Sequence, residues 1–483
     1  MTRDTTALPL WTATEAAAAT GGSRHGTLDW QAHGVSIDSR TCAAGELFVA
    51  IVGDRLDGHA YVATALERGA VAAIVTHRPN DVPESAPLLL VDDTQTALED
   101  LGRFARSRTG AQVVAITGSV GKTGTKEGLA HALAAFGPTH ATAGNLNNQW
   151  GVPLSLARMP QATRYGVFEL GMNHAGELTP LSKLVRPHVA IITTIAAVHL
   201  EFFDSVGAIA DAKAEIFAGM SPSGTAILNR DNPWFATLAA AAWARGIETV
   251  IGFGEHPEAQ VRLERYQPTE EGCDVGAAIA GQNLRYRLAA CGRHAALNSL
   301  AILAAADAVG VDIVVAAATL ATLQPPKGRG RRQTVDGPTG RFTLIDDSYN
   351  ASPASIRAAI EVLASTAPAK DGRRIAVLGD MLELGADAPR MHAGLAAPLI
   401  DSRIDLVFAA GPNMAHLYEA LPPTMRGGYA ANSAELLNAV AARIGAGDVV
   451  LVKGSLGSRM ALIVEALSQT QADGAPHRAA CAG

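Results

Sequence analysis

The run Gly118-Ser119-Val120-Gly121-Lys122-Thr123 combines residue types suited to gripping a polyphosphate. Glycines let backbone N–H groups approach phosphate oxygens, a lysine neutralises the β- and γ-phosphates, and a threonine hydroxyl can ligate magnesium. An apolar, β-branched run at 112–117 precedes the loop and a helix-forming stretch at 122–136 follows it. That order aims a helix N-terminus at the anion. Only two residues separate Gly118 from Gly121, where the strict form of such a loop has four between its glycines. A glycine-rich turn with a surface lysine is the plain alternative, and the flanking elements weigh against it.

Further candidates stand where chemistry gathers in open α/β sheets, outside the carboxyl ends of strands. Glu169 lies at the end of the strand-like run 165–170 and can face a magnesium ion toward the phosphate loop. His199 follows the run 189–195, and Lys213 and Glu215 fall on a helix-like stretch after Ser205. Taken singly, each has a bland reading: a strand-end glutamate paired with a base, a structural histidine, a solvated helical lysine.

The elements that must position these residues fall into three stretches. Residues 1–110 hold strand-like runs at 46–52 and 71–75 around a helix-like 61–68, closed by a linker at 106–110. Residues 111–324 carry strand candidates at 112–117, 165–170, 189–195, 225–228 and 248–252, with a helix-like 298–308 near the end. Pro325-Pro326-Lys327-Gly328 marks the next boundary. Residues 325–468 carry strands at 342–346, 374–378, 405–409 and 448–452 between helices such as 354–363 and 434–444. Apolar strands alternating with helices imply parallel sheets covered on both faces. The third stretch is Rossmann-like in layout but lacks G-x-G-x-x-G, so no dinucleotide is implied. Residues 469–483, rich in alanine, glycine and polar side chains, are expected to be a disordered tail.

At 483 residues the chain has room for several domains, and its 48% hydrophobic content supplies their cores. A formal charge of -7 lacks the basic excess of nucleic-acid binders. Cys42, Cys273, Cys291 and Cys481 show neither metal-ligand spacing nor a disulfide framework, as expected of a reduced cytoplasmic protein. The first residues lack a signal-peptide pattern, and no apolar run reaches the roughly 20 residues that span a bilayer.

Read together, TGSVGKTGTK, GNLNNQWGVP, ELGMNHAGEL and VHLEFFDSVGAIADAKAEIF resemble the ATP-binding domain of the Mur ligases. LIDDSYNASPAS, VLGDMLELG and VLVKGSLGSRM resemble the MurF branch in particular, as does DSRTCAAGELFVAIVGDRLDGHAYVATALERGA near the start. The resemblance runs from about Val35 to Met460. It implies an α/β protein of three domains: 1–110 binding a UDP-linked substrate, 111–324 a P-loop ATPase-like parallel sheet, and 325–468 Rossmann-like. It also implies a ligase in peptidoglycan precursor synthesis, working as a cytoplasmic monomer with ATP and a pair of Mg2+ ions. Such an enzyme joins D-alanyl-D-alanine to UDP-N-acetylmuramoyl-tripeptide through an acyl phosphate and a tetrahedral intermediate.

The same resemblance implies site residues. Lys122, with Gly118, Ser119, Val120 and Gly121, would meet the phosphates. Thr123, Glu169 and His199 would surround magnesium, and Lys213 matches the lysine that the family carbamylates. Arg329, with Arg331 as its competitor, would reach the ATP phosphates from the third domain. Asp347 would contact the ribose, and Tyr349 and Asn350 would lie near the base. His294, Asn298 and Asn229, with Asp231, fall on the nucleotide side. Asn145, Asn147 and Asn148 would meet the muramoyl peptide, and Asp38, Ser39 and Arg40 the UDP end. Lys453, Gly454 and Ser455 would receive the dipeptide.

Ala143, Ala295 and Ser352 depart from the family's usual residues, which touches individual contacts and not the reaction class. Asp231-Asn232-Pro233-Trp234 is similar to the amino-acid-selecting motif of a sibling, MurE, but sits in the central stretch and reads as chance. Two other readings stand beside the first. One is a sibling ligase with a different amine substrate. The other is a nucleotide-binding switch without ligase chemistry, suggested by Asn229-Arg230-Asp231, which lacks the lysine of a guanine-reading motif.

Overall fold

The computed structural model describes residues 8–198 and 200–469. His199 and the tail from residue 470 onward lie outside the described residues.

The architecture is α/β, as the alternation of apolar runs implies, and its sheets follow one another along the chain. The central sheet has nine strands. The strand Gln112–Thr117 lies inside it, hydrogen-bonded in parallel to Tyr165–Glu169 on one side and Val189–Ile192 on the other. From Gln112–Thr117 the chain goes out to the edge strand Thr139–Ala141, returns at Tyr165–Glu169, then crosses to Val189–Ile192. The winding direction therefore reverses at Gln112–Thr117, which opens a crevice at its carboxyl end. Thr225–Asn229 and Thr249–Gly254 extend the parallel sheet. Buried Val113, Val114, Ala115 and Ile116 form the near-continuous apolar run of a strand covered on both faces. Leu129 and Leu133 of the helix Lys122–Ala134, with Leu300 and Leu303 of Arg293–Ala308, cover one face. Leu156, Leu181, Ile209 and Leu238 cover the other.

The sequence implied an all-parallel centre, but three strands over Val261–Leu288 extend the sheet differently. Val261–Thr269 joins in parallel, then Gly272–Ile279 and Gln282–Leu288 follow antiparallel. Their exposed faces carry arginines and glutamates, so no apolar run announces them.

The amino-terminal sheet has five strands, with Glu46–Val49 and Ala72–Val75 in its middle. The expected linker at 106–110 is mostly helix end: Thr94–Ser107 is one helix, capped by Asp93, whose carboxylate accepts from Thr96 N at 2.6 Å. Arg106 is buried and donates to Val185 O at 2.8 Å and Arg186 O at 3.0 Å. It therefore anchors this helix to the central unit. Trp11 Nε1 and Arg158 Nε add bonds to Ala157 O and Val35 O across the same junction.

The carboxy-terminal sheet has six strands. The hairpin Arg331–Gly337 and Gly340–Asp347 is antiparallel, and Val449–Lys453, Arg374–Gly379, Leu406–Ala410 and Arg426–Ala430 continue in parallel. In the register of neighbouring strands Asp347 stands beside Lys453. No helix among the described residues is long and apolar enough to cross a membrane.

Candidate active site

The phosphate loop leaves the sheet at Thr117 and enters Lys122–Ala134 through Gly121, whose φ of +92° gives the helix no side-chain cap. The first N–H groups of the helix thus keep their hydrogens for an anion. Gly118, at φ +145°, has room only for hydrogen: a Cβ there would sit 2.0 Å from Thr193 Oγ1. At Gly121 a Cβ would lie 2.7 Å from Asn298 Nδ2, so the loop packs directly on Arg293–Ala308. The segment after Val189–Ile192 clamps the other side. Thr193 Oγ1 donates to Val120 O at 2.6 Å, and Ser119 N and Oγ donate to Thr194 O and Ala196 O. This segment was expected to remain strand to 195. It leaves the sheet at Thr193, whose N still donates to Thr117 O at 3.0 Å while its hydroxyl and the Thr194 and Ala196 carbonyls turn to the loop.

Lys122 folds back over the loop and donates to Gly118 O at 2.7 Å. Burial pushes its ammonium below the usual lysine range, Glu169 draws it back up, and Arg329 adds to the lowering. Thr123 is the second residue of the helix. Glu169 is 2% exposed. Asn147 Nδ2 donates to its Oε1 at 2.8 Å, while Oε2 is buried with no hydrogen-bond partner among the described residues. A carboxylate oxygen in that state is unusual, because buried acceptors are nearly always paired. Lys213, on the helix Val206–Ala214 that Ser205 caps, is 1% exposed. Burial, and next the Lys122 charge, drive it well below the usual lysine range. Two lysines and a partly orphaned carboxylate therefore share one neighbourhood at the switch point of the sheet.

The carboxy-terminal unit faces this cluster. The Arg329 guanidinium lies 4.2 Å from the centroid of the Tyr349 ring, and its charge reaches Lys122. Arg331 is exposed at the start of the hairpin. Lys453, 3% exposed, donates to Asp347 Oδ2 at 2.6 Å and to Asn350 O at 2.9 Å. His294 opens its helix next to this pair. The surrounding protein lowers its pKa although part of the residue remains exposed, Asp347 raises it, and Lys453 lowers it.

Three family models match the chain in order. They are described as Mur ligase family, catalytic domain, over residues 31–106; Mur ligase middle domain, over 116–306; and Mur ligase, glutamate ligase domain, over 330–456. The UDP-N-acetylmuramoyl-tripeptide--D-alanyl-D-alanine ligase of Rickettsia prowazekii is 33% identical over 431 residues, covering 89% of this chain and 94% of that protein. The chain belongs to the Mur ligase family. The enzyme of the same name from Escherichia coli is 35% identical over 437 residues, 90% of this chain and 93% of its own. Among solved structures, MurF from Acinetobacter baumannii superposes with a TM-score of 0.83 at 32% identity, covering 95% of this chain and 99% of that one. MurF from Thermotoga maritima in complex with ADP gives 0.75 at 27%, covering 90% and 97%.

In this Mur ligase the remaining expected site residues have these places. Asn145 and Asn148 are exposed beside Asn147, but Asn148 Oδ1 also accepts from Gly151 N at 2.9 Å, at the start of the helix Gly151–Ala157. A cleft of about 550 Å³ opens here, lined by Asn148, Gln149, Gly171, Arg103 and Lys183 among others. Asp38 and Arg40 are paired with each other at 2.7 Å, and Ser39 is buried between them in sequence. Asn229 Nδ2 donates to Thr193 O at 3.2 Å, supporting the clamp. Asp231 accepts from Glu255 N and His256 N, a bond set internal to the sheet's end. Ser455 Oγ accepts from Leu382 N at 3.0 Å. A Cβ at Gly454 would meet Ser458 Oγ at 2.4 Å.

Several organising residues escaped the sequence reading. Asp346, not only Asp347, shapes the covering turn: its buried carboxylate accepts from Gly328 N, Ser348 N and Ser348 Oγ, which sets the loop bearing Arg329 against Tyr349. The Asp346-Asp347 doublet was a signal, since alternate strand residues face opposite sides. Asn232, taken for part of a chance motif, donates to Thr194 Oγ1 at 3.0 Å and Ile195 O at 2.8 Å and steadies the clamp. Ser352, a departure from the family pattern, caps the helix Pro353–Ser365 by accepting from Ser355 N at 3.3 Å. That substitution thus keeps a structural role.

Proposed function

We propose that this Mur ligase joins the free carboxylate of UDP-N-acetylmuramoyl-tripeptide to the amine of D-alanyl-D-alanine, using ATP. In this reading residues 1–110 receive the UDP-linked substrate, 111–324 the ATP, and 325–468 close over both and bring the dipeptide. A carboxylate cannot expel oxide, so it first takes the γ-phosphoryl group and becomes an acyl phosphate. The amine adds to the acyl carbon, and the tetrahedral intermediate expels phosphate to leave the amide. Little covalent work falls to the protein, and positioning with charge neutralisation does the rest.

The loop N–H groups, Lys122 and Arg329 offset the charge of the transferring group. Asn145, Asn147 and Asn148 hold the acyl substrate on the opposite side of Glu169, and Asp38, Ser39 and Arg40 lie toward its UDP end. Asn298 and Asn229 brace the loop, while His294, Asp347, Tyr349 and Asn350 face the nucleoside. Lys453, Gly454 and Ser455 receive the dipeptide.

Magnesium fits the residues present. Glu169 Oε2 is a hard, buried oxygen without a partner among the described residues, and Thr123 brings its hydroxyl to the first turn of the helix. Among the described residues no three His, Cys, Asp or Glu side chains cluster. Magnesium takes most of its ligands from water and phosphate, so one carboxylate and one hydroxyl suit it. When bound, magnesium supplies positive charge to the phosphates. His199 would support a second ion. The lowered pKa of Lys213 suits an uncharged amine, which can attack the carbon of CO2, lose a proton and become an anionic carbamate.

The observation that carries the reading is the half-used Glu169 carboxylate facing the phosphate loop at the switch point. Because ATP and a UDP-linked precursor are its substrates, we place the enzyme in the cytoplasm. The test is ADP and amide formation with purified enzyme. ADP should appear one for one with amide only when tripeptide substrate and D-alanyl-D-alanine are both present. Equal phosphate release without the dipeptide, or preference for a single diamino acid, would overturn it.

A further inference from the structure

The phosphate-loop helix carries a second buried lysine. Lys126 lies one turn beyond Lys122 on the same helix face and is fully buried. Its ammonium donates to Thr142 O at 2.7 Å and Gly144 O at 3.4 Å and pairs with Glu127 Oε1 at 2.7 Å. An ammonium has three hydrogens to give, and three acceptors surround this one. The two carbonyls belong to the segment between the edge strand Thr139–Ala141 and the asparagine cluster.

That segment leads straight to Glu169. Thr142 Oγ1 accepts from Glu169 N at 3.2 Å, and Asn147 Nδ2 donates to Glu169 Oε1. Gly144 sits at φ +55°, and a Cβ there would meet nothing within 4 Å, while Thr142 N before it donates to Val167 O and Gly171 N donates to Asn147 O beyond it, so Lys126 joins the helix to a segment already tied to the strand of Glu169. Burying a lysine is costly, and a methionine would fill the volume more cheaply. What the charge adds is a fixed link between two parts of one site.

We infer that Lys126 is a positioning residue. It couples the phosphate-loop helix to the asparagine segment and, through Thr142, to Glu169, so that the acyl carboxylate and the phosphates are held in one frame. This inference rests on the reading of the site given above.

Lys126→Met, of similar length and without charge, provides the test. The KM for UDP-N-acetylmuramoyl-tripeptide should rise about tenfold or more, while ADP affinity stays within about twofold because the loop itself is untouched. Lys126→Arg should recover part of the loss. If Lys126→Met does not fold, Thr142→Val cuts the next link and carries the same expectation. The inference is overturned if the KM for the acyl substrate stays within about twofold in the folded variant. It is equally overturned if acyl-substrate and ADP affinities fall together with the melting temperature. Wild-type enzyme that forms no amide from tripeptide and dipeptide would refute the ligase reading instead. Active wild type with an indifferent variant refutes this inference alone.

Discussion

At the phosphate loop, Lys213 is buried near a second lysine and Glu169 keeps an oxygen that nothing among the described residues satisfies. Across the cleft, Lys453 is as deeply buried but holds Asp347 and the Asn350 carbonyl, and Asp346 takes two donors from Ser348 in its own turn and a third from Gly328. The same residue types thus meet opposite surroundings. A fold optimised only for stability would pair or discard the first set, because unpaired buried charge is costly. In the proposed reading, substrates and ions supply the missing partners of the unsatisfied groups. The satisfied ones form the frame that aims Arg329 and Tyr349 at them.

The sharpest way to break this contrast is Lys122→Ala. Its turnover should fall by about 10³-fold or more with an unchanged far-UV circular dichroism spectrum, and near-normal turnover would refute its role. Next comes Lys213. Lys213→Met should lose on the order of 10²-fold in activity without lowering the melting temperature, since a desolvated amine is removed. In Lys213→Ala, added short carboxylates should partly restore turnover by replacing the carbamate. The sign of the pH effect follows from the lowered pKa. Between the folded and unfolded values the unfolded chain binds more protons, so the stability contributed by Lys213 rises as pH climbs toward the ordinary lysine range. Urea unfolding of unmodified enzyme at about pH 7 and about pH 10 should show that upward slope, and Lys213→Met should show a shallower one, because Lys122, also lowered by burial, still contributes in the same direction.

The satisfied side should respond in stability. Lys453→Met strands the Asp347 carboxylate and should cost about 3 kcal/mol by urea unfolding. Adding Asp347→Asn should recover much of this, and full additivity of the two changes would break the pairing. The smallest effects separate two arginines. Arg329→Ala should raise the KM for ATP about tenfold, whereas Arg331→Ala, exposed at the hairpin, should stay within about twofold. Equal effects would show that Tyr349 does not select the working guanidinium.

How much could be read beforehand depended on whether the signal was local. The strand–loop–helix order around Lys122 was legible because its glycines, lysine, strand and helix are contiguous, and the place of Glu169 at a strand end because the apolar run before it stops there. The strand ending at Ile192 was overread, since Thr193–Ile195 looks like strand until Val120 claims its hydroxyl. The helix Thr94–Ser107 was missed, and Arg106 looked like linker, because its polar face hid the apolar one. The strands of Val261–Leu288 were missed because half their residues face solvent. The pairs Lys453–Asp347 and Lys126–Thr142 join residues brought together only by the fold. No spacing in the chain announces them.

The most direct test of the contrast is the affinity for a non-hydrolysable ATP analogue, measured by calorimetry with and without Mg2+. Wild-type enzyme should gain at least about tenfold in affinity from the metal, and Glu169→Gln should lose most of that gain while keeping its metal-free affinity. An equal gain in both proteins would contradict the account, because the open oxygen of Glu169 would then have no ion to hold.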